Sequence, residues 1–254
     1  MVKFLSAATG FALALAVAMG SASARTAKAV TADLDARFGL TDYWHAQYRD
    51  AGGIPVVGSA EVDDSTLNSA ARTVRKMLAG LPYGTRARMR RAGMAVVIVA
   101  RRVDVGAVPG VMERFGLGAN GRYWAGFGAT PAYPLCVATE ANLADDYGNE
   151  NLLVYSLATS VAELGLKPHD QSFAQDLDAA YAHALRNGRW TNSYARVSAD
   201  TYWAEGVQSY FSVNRRGPRG GDGVHGAVST RQALRRHDPK LFQLIAETFG
   251  DATL

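Results

Sequence analysis

The chain has 254 residues, a formal net charge of +4 at pH 7 and one cysteine, Cys136. Its length is ample for a single hydrophobic core, and the lone cysteine excludes an intramolecular disulfide. The positive charge is mild, and the arginines lack the interleaved aromatic side chains of a single-strand nucleic-acid groove. One interpretation of these arginines is a surface for acidic partners, but solvated basic surfaces are favoured, and we predict no nucleic-acid partner.

Residues 1–24 have the three parts of a secretory signal peptide. Lys3 supplies the positive charge, the run FALALAVAM supplies a short apolar segment, and the sequence ASA ending at Ala24 matches a small-residue cleavage site. We expect cleavage near Ala24 and a periplasmic or extracellular product, residues 25–254, that folds as a single domain. No later stretch approaches the roughly 20 apolar residues of a membrane span, so none is expected in the mature chain.

The first half of the mature sequence predicts helices alternating with short strands. In chain order, the predicted elements are a helix over Ala32–Asp50 closed by Gly52-Gly53, a strand at Ile54–Gly58, a helix over Asp63–Ala79, and strands at Met94–Ala100 and Leu135–Ala138. The run MAVVIVA that begins at Met94 is continuous and rich in β-branched residues, which is typical of a central strand buried on both faces. The glycines and prolines between Arg101 and Tyr147 predict a loop-rich segment.

The second half predicts helices almost throughout. They are expected at Asn149–Leu164, Phe173–Arg186, Asp200–Asn214, Thr230–Arg236 and Pro239–Phe249. Apolar side chains recur along one face of the first of these helices, at Leu153, Leu157, Val161 and Leu164. A small mixed sheet in the N-terminal half, packed on a mainly helical C-terminal half, is an α+β fold.

Two hydroxyl side chains share the other side of the helix at Asn149–Leu164. Tyr155 and Thr159 are four residues apart and project together, the arrangement with which a helix presents two ligands to one metal ion. Neither side chain is an ordinary metal ligand at neutral pH. The helix therefore has the framework of a metal site without the donors.

Four segments of the chain carry a family resemblance. They are DAGGIPVVGSAEV (Asp50–Val62), ENLLVYSLATSV (Glu150–Val161), YWAEGVQSYFSVN (Tyr202–Asn214) and TRQALRRHDPKLFQLIAETFG (Thr230–Gly250). These segments resemble secreted bacterial zinc metallopeptidases of the zincin type, which are distant relatives of the protease domain of anthrax lethal factor. The resemblance covers most of the mature chain in order, is most specific at Trp203-Ala204-Glu205-Gly206, and implies a zincin-like fold.

The resemblance also implies which residues stand at the family's functional positions. In that family a central helix carries His-Glu-x-x-His, in which both histidines bind zinc and the glutamate activates water, and a glutamate on a later helix is the third protein ligand. The first histidine corresponds to Tyr155, the glutamate to Ser156 and the second histidine to Thr159. All three are replaced, whereas the later glutamate is retained as Glu205.

These replacements remove the chemistry of a zinc peptidase. Zinc is held by imidazole, thiolate or carboxylate groups, whereas Tyr155 and Thr159 offer neutral hydroxyls, since a phenol titrates near about 10. Ser156 has no accessible deprotonated form at neutral pH that would accept a proton from water. We therefore predict no metal site, no cofactor and no zinc-dependent peptidase activity.

Two hypotheses for function follow. The favoured one is a non-catalytic protein that binds a peptide, protein or glycan partner through the former active-site cleft. The candidates for lining that cleft are Tyr155, Ser156, Thr159, Tyr202, Glu205 and His225, the last because its glycine-rich loop approaches the active-site side in the resembling family.

The alternative hypothesis is an active hydrolase, either a peptidase or a glycosidase. Glu205 would then act with other cleft residues, for example with Glu163 or Asp145 as a second carboxylate. Two carboxylates on neighbouring elements cleave glycosidic bonds when about 5 to 10 Å separates them. If Glu205 is instead structural, we expect it to be hydrogen-bonded to Tyr155 or Thr159.

Overall fold

The computed structural model describes residues 28–115, 125–144 and 149–254. The predicted signal peptide and Asp145 lie outside these residues. Within the three described ranges, no helix combines the length and the apolar character that crossing a membrane requires.

Helices and short strands alternate in the first half of the described chain, and helices make up most of the second. The helices are α1 (residues 28–38), α2 (Asp64–Gly80), α3 (Tyr83–Arg91), α4 (Val111–Phe115), α5 (Glu140–Leu143), α6 (Leu152–Ser160), α7 (Gln171–Arg186), α8 (Ala199–Tyr210), α9 (Arg231–His237) and α10 (Pro239–Phe249). The strands are β1 (Gln47–Asp50), β2 (Pro55–Gly58), β3 (Ala95–Val99), β4 (Gly126–Phe127) and β5 (Leu135–Thr139).

The strands form one mixed sheet in the order β1-β2-β3-β5-β4. Strands β2, β3 and β5 are parallel, and β1 and β4 add antiparallel edges. The sheet comes from the N-terminal half, and helices supply most of the C-terminal half. The predicted α+β fold is therefore confirmed.

Strand β3 lies at the centre of this sheet and is buried along its whole length. Its side chains alternate between two cores: Val96 and Ile98 join the larger one, which includes residues of α2, α6 and α8. Val97 and Val99 join a smaller core on the opposite face, which includes Leu34 of α1. The continuous apolar run predicted this arrangement because a strand with helices on both faces has no polar side.

The predicted helix over Ala32–Asp50 is wrong in its second half. Helix α1 ends at residue 38 and is followed by Gly39, whose φ is +68°. Residues Gln47–Asp50 are instead strand β1, which pairs antiparallel with β2. Gly52 and Gly53, with φ of +70° and +83°, form the turn of this hairpin rather than the end of a helix. The same left-handed conformation serves both purposes, so the glycine pair alone did not distinguish them.

The helix predicted at Asn149–Leu164 begins later and changes its winding. Asn151 caps α6, its side chain accepting a hydrogen bond from the backbone N–H of Val154 at 3.1 Å. A π-helical segment, Val161–Leu166, continues α6 towards α3. The predicted apolar face is confirmed, because its four members are buried: Leu153, Leu157, Val161 and Leu164.

Candidate functional site

Helices α6 and α8 lie side by side in antiparallel directions, and two hydrogen bonds fix their register. Near the start of α8, the indole Nε1 of Trp203 donates to the carbonyl of Ala158 at 2.9 Å. Near its end, Nε2 of Gln208 donates to the carbonyl of Asn151, also at 2.9 Å. Between these two bonds, Glu205 of α8 lies level with Tyr155 of α6. The fold therefore brings together the two positions on which the sequence-based hypothesis depends.

Glu205 is buried, with an exposed fraction of 4%. Its Oε2 atom accepts a hydrogen bond from Nδ2 of Asn214 at 2.9 Å, and the same amide nitrogen lies 3.1 Å from Oγ of Ser209. The prediction that a structural Glu205 bonds to Tyr155 or Thr159 is therefore wrong. Asn214 holds the carboxyl group from the segment that follows α8.

Burial changes the protonation of Glu205. The pKa of its carboxyl group is raised to about 7, with loss of solvent as the largest cause. The hydrogen bond from Asn214 lowers this pKa, and the negative charge of Glu150 raises it. At neutral pH the protonated and the ionised forms of this carboxyl group are therefore both populated. This range suits a general acid, but a group with so little exposure has almost no surface for a substrate.

Tyr155 is half-buried, and its ring centroid lies 6.4 Å from that of Tyr194. Burial raises the pKa of the Tyr155 phenol above its ordinary value of 10.0, and the neighbouring Tyr194 and Glu205 raise it further. The phenol is therefore neutral near pH 7, and its ionisation costs more here than in water. Tyr155 supplies an aromatic, uncharged surface next to Glu205.

Ser156 and Thr159 face the segment that includes β4. A Cβ atom added at Gly126 would lie 3.1 Å from Oγ of Ser156, and one added at Gly128 would lie 2.5 Å from Cβ of Thr159. The hydroxyl of Thr159 donates back to the carbonyl of Tyr155 at 3.3 Å. Ser156 is 1% exposed, and its hydroxyl has no hydrogen-bond partner among the described residues. Close packing therefore covers the position that corresponds to the general base.

His225 joins the loop after α8 to the segment that precedes α6. Its Nε2 atom lies 3.2 Å from Oε2 of Glu150, and its Nδ1 atom lies 3.7 Å from Oδ2 of Asp222. Glu150 is also the carboxylate whose charge acts on Glu205. The predicted candidate His225 is thus linked to Glu205 through Glu150.

Other predicted residues have partners elsewhere. The hydroxyl of Tyr202 donates to Oδ2 of Asp238 at 2.8 Å, inside the helical core. Glu163 forms an ion pair with Lys167, at 2.7 Å between Oε1 and Nζ. Asp145 lies outside the described residues. The carboxylate that acts on Glu205 is therefore Glu150, and the pairing with Glu163 is not observed.

Three residues of the site were not identified from the sequence: Glu150, Tyr194 and Asn214. Glu150 immediately precedes the capping residue of α6, and Asn214 follows Glu205 by nine positions. An acid before a helix start and an amide after a helix end are ordinary capping signals, so neither pointed to a shared site. Only the packing of α6 against α8 brings them together.

The donor set does not fit a zinc ion. Catalytic zinc sites use three protein ligands with nitrogen, sulfur or carboxylate donors, whereas positions 155 and 159 carry hydroxyls. Within the described ranges, no group of three or more histidine, cysteine, aspartate and glutamate side chains is arranged to hold a metal. Of positions 155, 159 and 205, only Glu205 has the chemistry of a zinc ligand, and its Oε2 atom is already hydrogen-bonded to Asn214.

Comparison with known proteins adds one distant likeness. No protein-family model matches the chain, and a search of curated proteins finds no match. Among solved structures, the chain is similar to a Pro-Pro endopeptidase, PPEP-2, from Paenibacillus alvei. The two share 15% sequence identity with a TM-score of 0.44, over 76% of this chain and 96% of that chain. At that distance the likeness assigns no activity.

Proposed function

We propose that this chain is an exported, non-catalytic relative of zincin-type zinc metallopeptidases. Residues 25–254 form its single mature domain, which binds a peptide or protein ligand at the surface beside α6 and α8. The observation that carries the proposal is the chemistry at the level of Glu205. Hydroxyl groups stand at positions 155 and 159, and Oε2 of Glu205 is engaged by a hydrogen bond from Asn214.

The cost of zinc binding supports a site without metal. A phenolate ligand at Tyr155 would require ionisation of a group whose pKa is raised by burial and by Glu205. Glu205, with a pKa of about 7, would have to lose its proton, and a metal at Oε2 would displace the hydrogen bond from Asn214. Because ligands bind metal in their deprotonated forms, the ionisation of Tyr155 and that of Glu205 both reduce the affinity for zinc at neutral pH.

The surroundings of Ser156 and Glu205 support the absence of hydrolysis. Water activation requires a base within hydrogen-bond reach of a water molecule and of the substrate. Ser156 is packed against Gly126, and the carboxyl group of Glu205 is directed to Asn214. Neither side chain offers an exposed proton acceptor. A binding function needs only the surface around Tyr155 and the loops next to it.

Restoring the two histidines tests whether this surface is a former zinc site. The double variant Tyr155→His/Thr159→His is expected to bind zinc about 100-fold more tightly than the unmodified protein, because two imidazoles then join Glu205 on facing helices. Competition with a chromogenic chelator at pH 7.5 measures the affinity. No peptidase activity is expected from this variant, since Ser156 remains.

The matched control for this experiment adds Glu205→Gln to the double variant. An amide is a poor zinc ligand, so we expect the control to bind zinc about tenfold more weakly than the double variant. Two results would contradict this: a zinc affinity of the double variant no higher than that of the unmodified protein, or a control that binds zinc as tightly as the double variant. Either would show that residues 155, 159 and 205 do not converge on one former metal site.

A further inference from the structure

Two loops form a continuous surface beside the candidate site. We call residues 191–197 and 215–226 together the two-loop platform. Backbone hydrogen bonds join the loops, from the N–H of Tyr194 to the carbonyl of Val224 at 2.7 Å and from the N–H of Gly223 to the carbonyl of Asn192 at 2.9 Å. The approach is close, since a Cβ atom at Gly221 would lie 1.9 Å from the Asn192 carbonyl oxygen. The platform is therefore one connected surface.

The platform borders the site described above. The ring of Tyr194 lies 6.4 Å from the ring of Tyr155, centroid to centroid. His225, near the other end of the platform, contacts Glu150 just before α6. A ligand that covers the Tyr155 ring would therefore also reach Tyr194 of the platform.

Exposed apolar side chains are concentrated on the platform. Six large hydrophobic side chains are exposed in the described part of the chain, and three of them are Tyr194, Val197 and Val224, with exposed fractions of 40%, 65% and 48%. Single exposed apolar residues need no explanation, but a cluster on two adjoining loops indicates an interaction surface.

The same surface carries an excess of positive charge. Four of its arginines are exposed: Arg196, Arg215, Arg216 and Arg219. None of the four forms an ion pair with a carboxylate in the described ranges. Asp222 is the one acidic residue of the platform, and its Oδ1 atom accepts hydrogen bonds from the backbone N–H groups of Val224 and His225. Its carboxylate is thus used within the loop, and the arginines remain available.

We propose that the two-loop platform binds an acidic peptide segment in which carboxylates alternate with apolar or aromatic side chains. This inference rests on the proposed binding function and names the class of ligand. Arginine guanidinium groups pair with carboxylates through parallel hydrogen bonds, and Tyr194, Val197 and Val224 would cover the intervening apolar groups. Tyr194 is the one aromatic side chain exposed on the platform, whereas single-stranded nucleic acid needs successive rings for stacking.

Fluorescence anisotropy with defined peptides tests the proposal on the full mature protein. The probe is a short fluorescein-labelled peptide that alternates glutamate with leucine and tyrosine. The triple variant Arg215→Glu/Arg216→Glu/Arg219→Glu is expected to bind it about tenfold or more weakly than the unmodified protein, because three attractive contacts become repulsive. Binding to the unmodified protein should also weaken as salt is raised.

A second triple variant shows whether weaker binding comes from the platform itself or from the change in net charge. Arg72→Glu/Lys76→Glu/Arg91→Glu makes the same change in net charge at exposed positions of α2 and at the end of α3. It is expected to bind the probe within about twofold of the unmodified protein. Two further peptides complete the set: one replaces glutamate with lysine and the other replaces leucine and tyrosine with serine. Both are expected to bind more weakly.

Several results would overturn the proposal. These are no binding of the probe, equal losses in the two triple variants, or equal binding of the lysine peptide. Stronger binding to an anionic phospholipid vesicle or to oligo(dT) than to the peptide would assign the platform to a different partner. None of these results depends on zinc, so the metal content of the unmodified protein tests the proposed function separately.

Discussion

Replacing Asp238 with alanine is expected to destabilise the protein by about 4 kcal/mol. Asp238 is fully buried. Its Oδ2 atom accepts hydrogen bonds from the Tyr202 hydroxyl at 2.8 Å and from Nε1 of Trp190 at 3.0 Å. Its Oδ1 atom lies 3.4 Å from Nη1 of Arg189. Alanine leaves the buried donors of Tyr202 and Trp190 without this acceptor, at about 1 to 3 kcal/mol each, and the partly exposed Arg189 loses its ion pair.

Asp238 also caps α10, which adds to the expected loss. Its Oδ1 atom accepts a hydrogen bond from the backbone N–H of Leu241 at 3.3 Å, and removal of such a cap costs about 1 kcal/mol. Urea unfolding at pH 7 measures the change in the free energy of unfolding. Asp178→Ala on the exposed face of α7 is the control and is expected to change this free energy by less than about 0.5 kcal/mol. An Asp238→Ala variant within about 1 kcal/mol of the unmodified protein would contradict this account of the core.

The second large effect is a pH dependence of stability that comes from Glu205. The pKa of this carboxyl group is raised from 4.5 to about 7 by burial in the folded state, so the folded protein holds its proton more tightly than the unfolded chain does. The stabilisation is fully present below pH 4.5 and is lost as the pH rises through about 7. Since one pKa unit corresponds to about 1.36 kcal/mol, the total loss is about 3 kcal/mol.

The variant Glu205→Gln is expected to remove this slope. Glutamine stays neutral at every pH, and its side-chain carbonyl accepts the hydrogen bond from Asn214 in place of the carboxyl group. The variant should therefore match the unmodified protein near pH 4.5 and exceed its stability at pH 8 by about 3 kcal/mol.

Urea unfolding at a series of pH values from 4.5 to 8 measures both curves, with the exposed Glu61→Gln as the control. Glu61 is exposed, so its replacement is expected to leave the slope unchanged. Parallel curves for the unmodified protein and Glu205→Gln would show that Glu205 ionises as it does in water.

The elements that the sequence predicted well are those with a one-sided or uniform burial pattern. Strand β3 is buried on both faces, so its apolar run had one structural interpretation. The face of α6 that contains Leu153 and Leu157 packs into the core while Tyr155 stays half-buried, and this contrast produced the helical spacing. In such segments local sequence and tertiary packing require the same conformation.

Helix α8 shows why the candidate site was only partly predictable. Every residue from Thr201 to Tyr210 is buried, so the apolar pattern has no exposed side from which the helix could be oriented. Tyr202 and Glu205 are three positions apart, yet one contacts Asp238 and the other contacts Asn214. The sequence placed both in the cleft because it could not assign them to different partners.

Helix α3 was missed for the opposite reason. It buries only Thr85 and Met89 and carries four arginines in the stretch RARMRR, a composition typical of a charged surface segment. Arg88 donates from Nε to the carbonyl of Gly165 at 2.7 Å, which ties α3 to the π-helical segment. A helix that is held by hydrogen bonds from side chains to backbone carbonyls shows little hydrophobic periodicity in its sequence.

Metal content of the purified mature protein is the most direct test of the central claim, which is that hydroxyl groups have replaced the zinc donors beside Glu205. The protein is expressed in zinc-supplemented medium, purified without chelators and analysed by inductively coupled plasma mass spectrometry, with peptide cleavage assayed on the same sample. We predict zinc far below one ion per chain and no cleavage. One tightly held zinc per chain, together with cleavage that a chelator abolishes, would contradict the account.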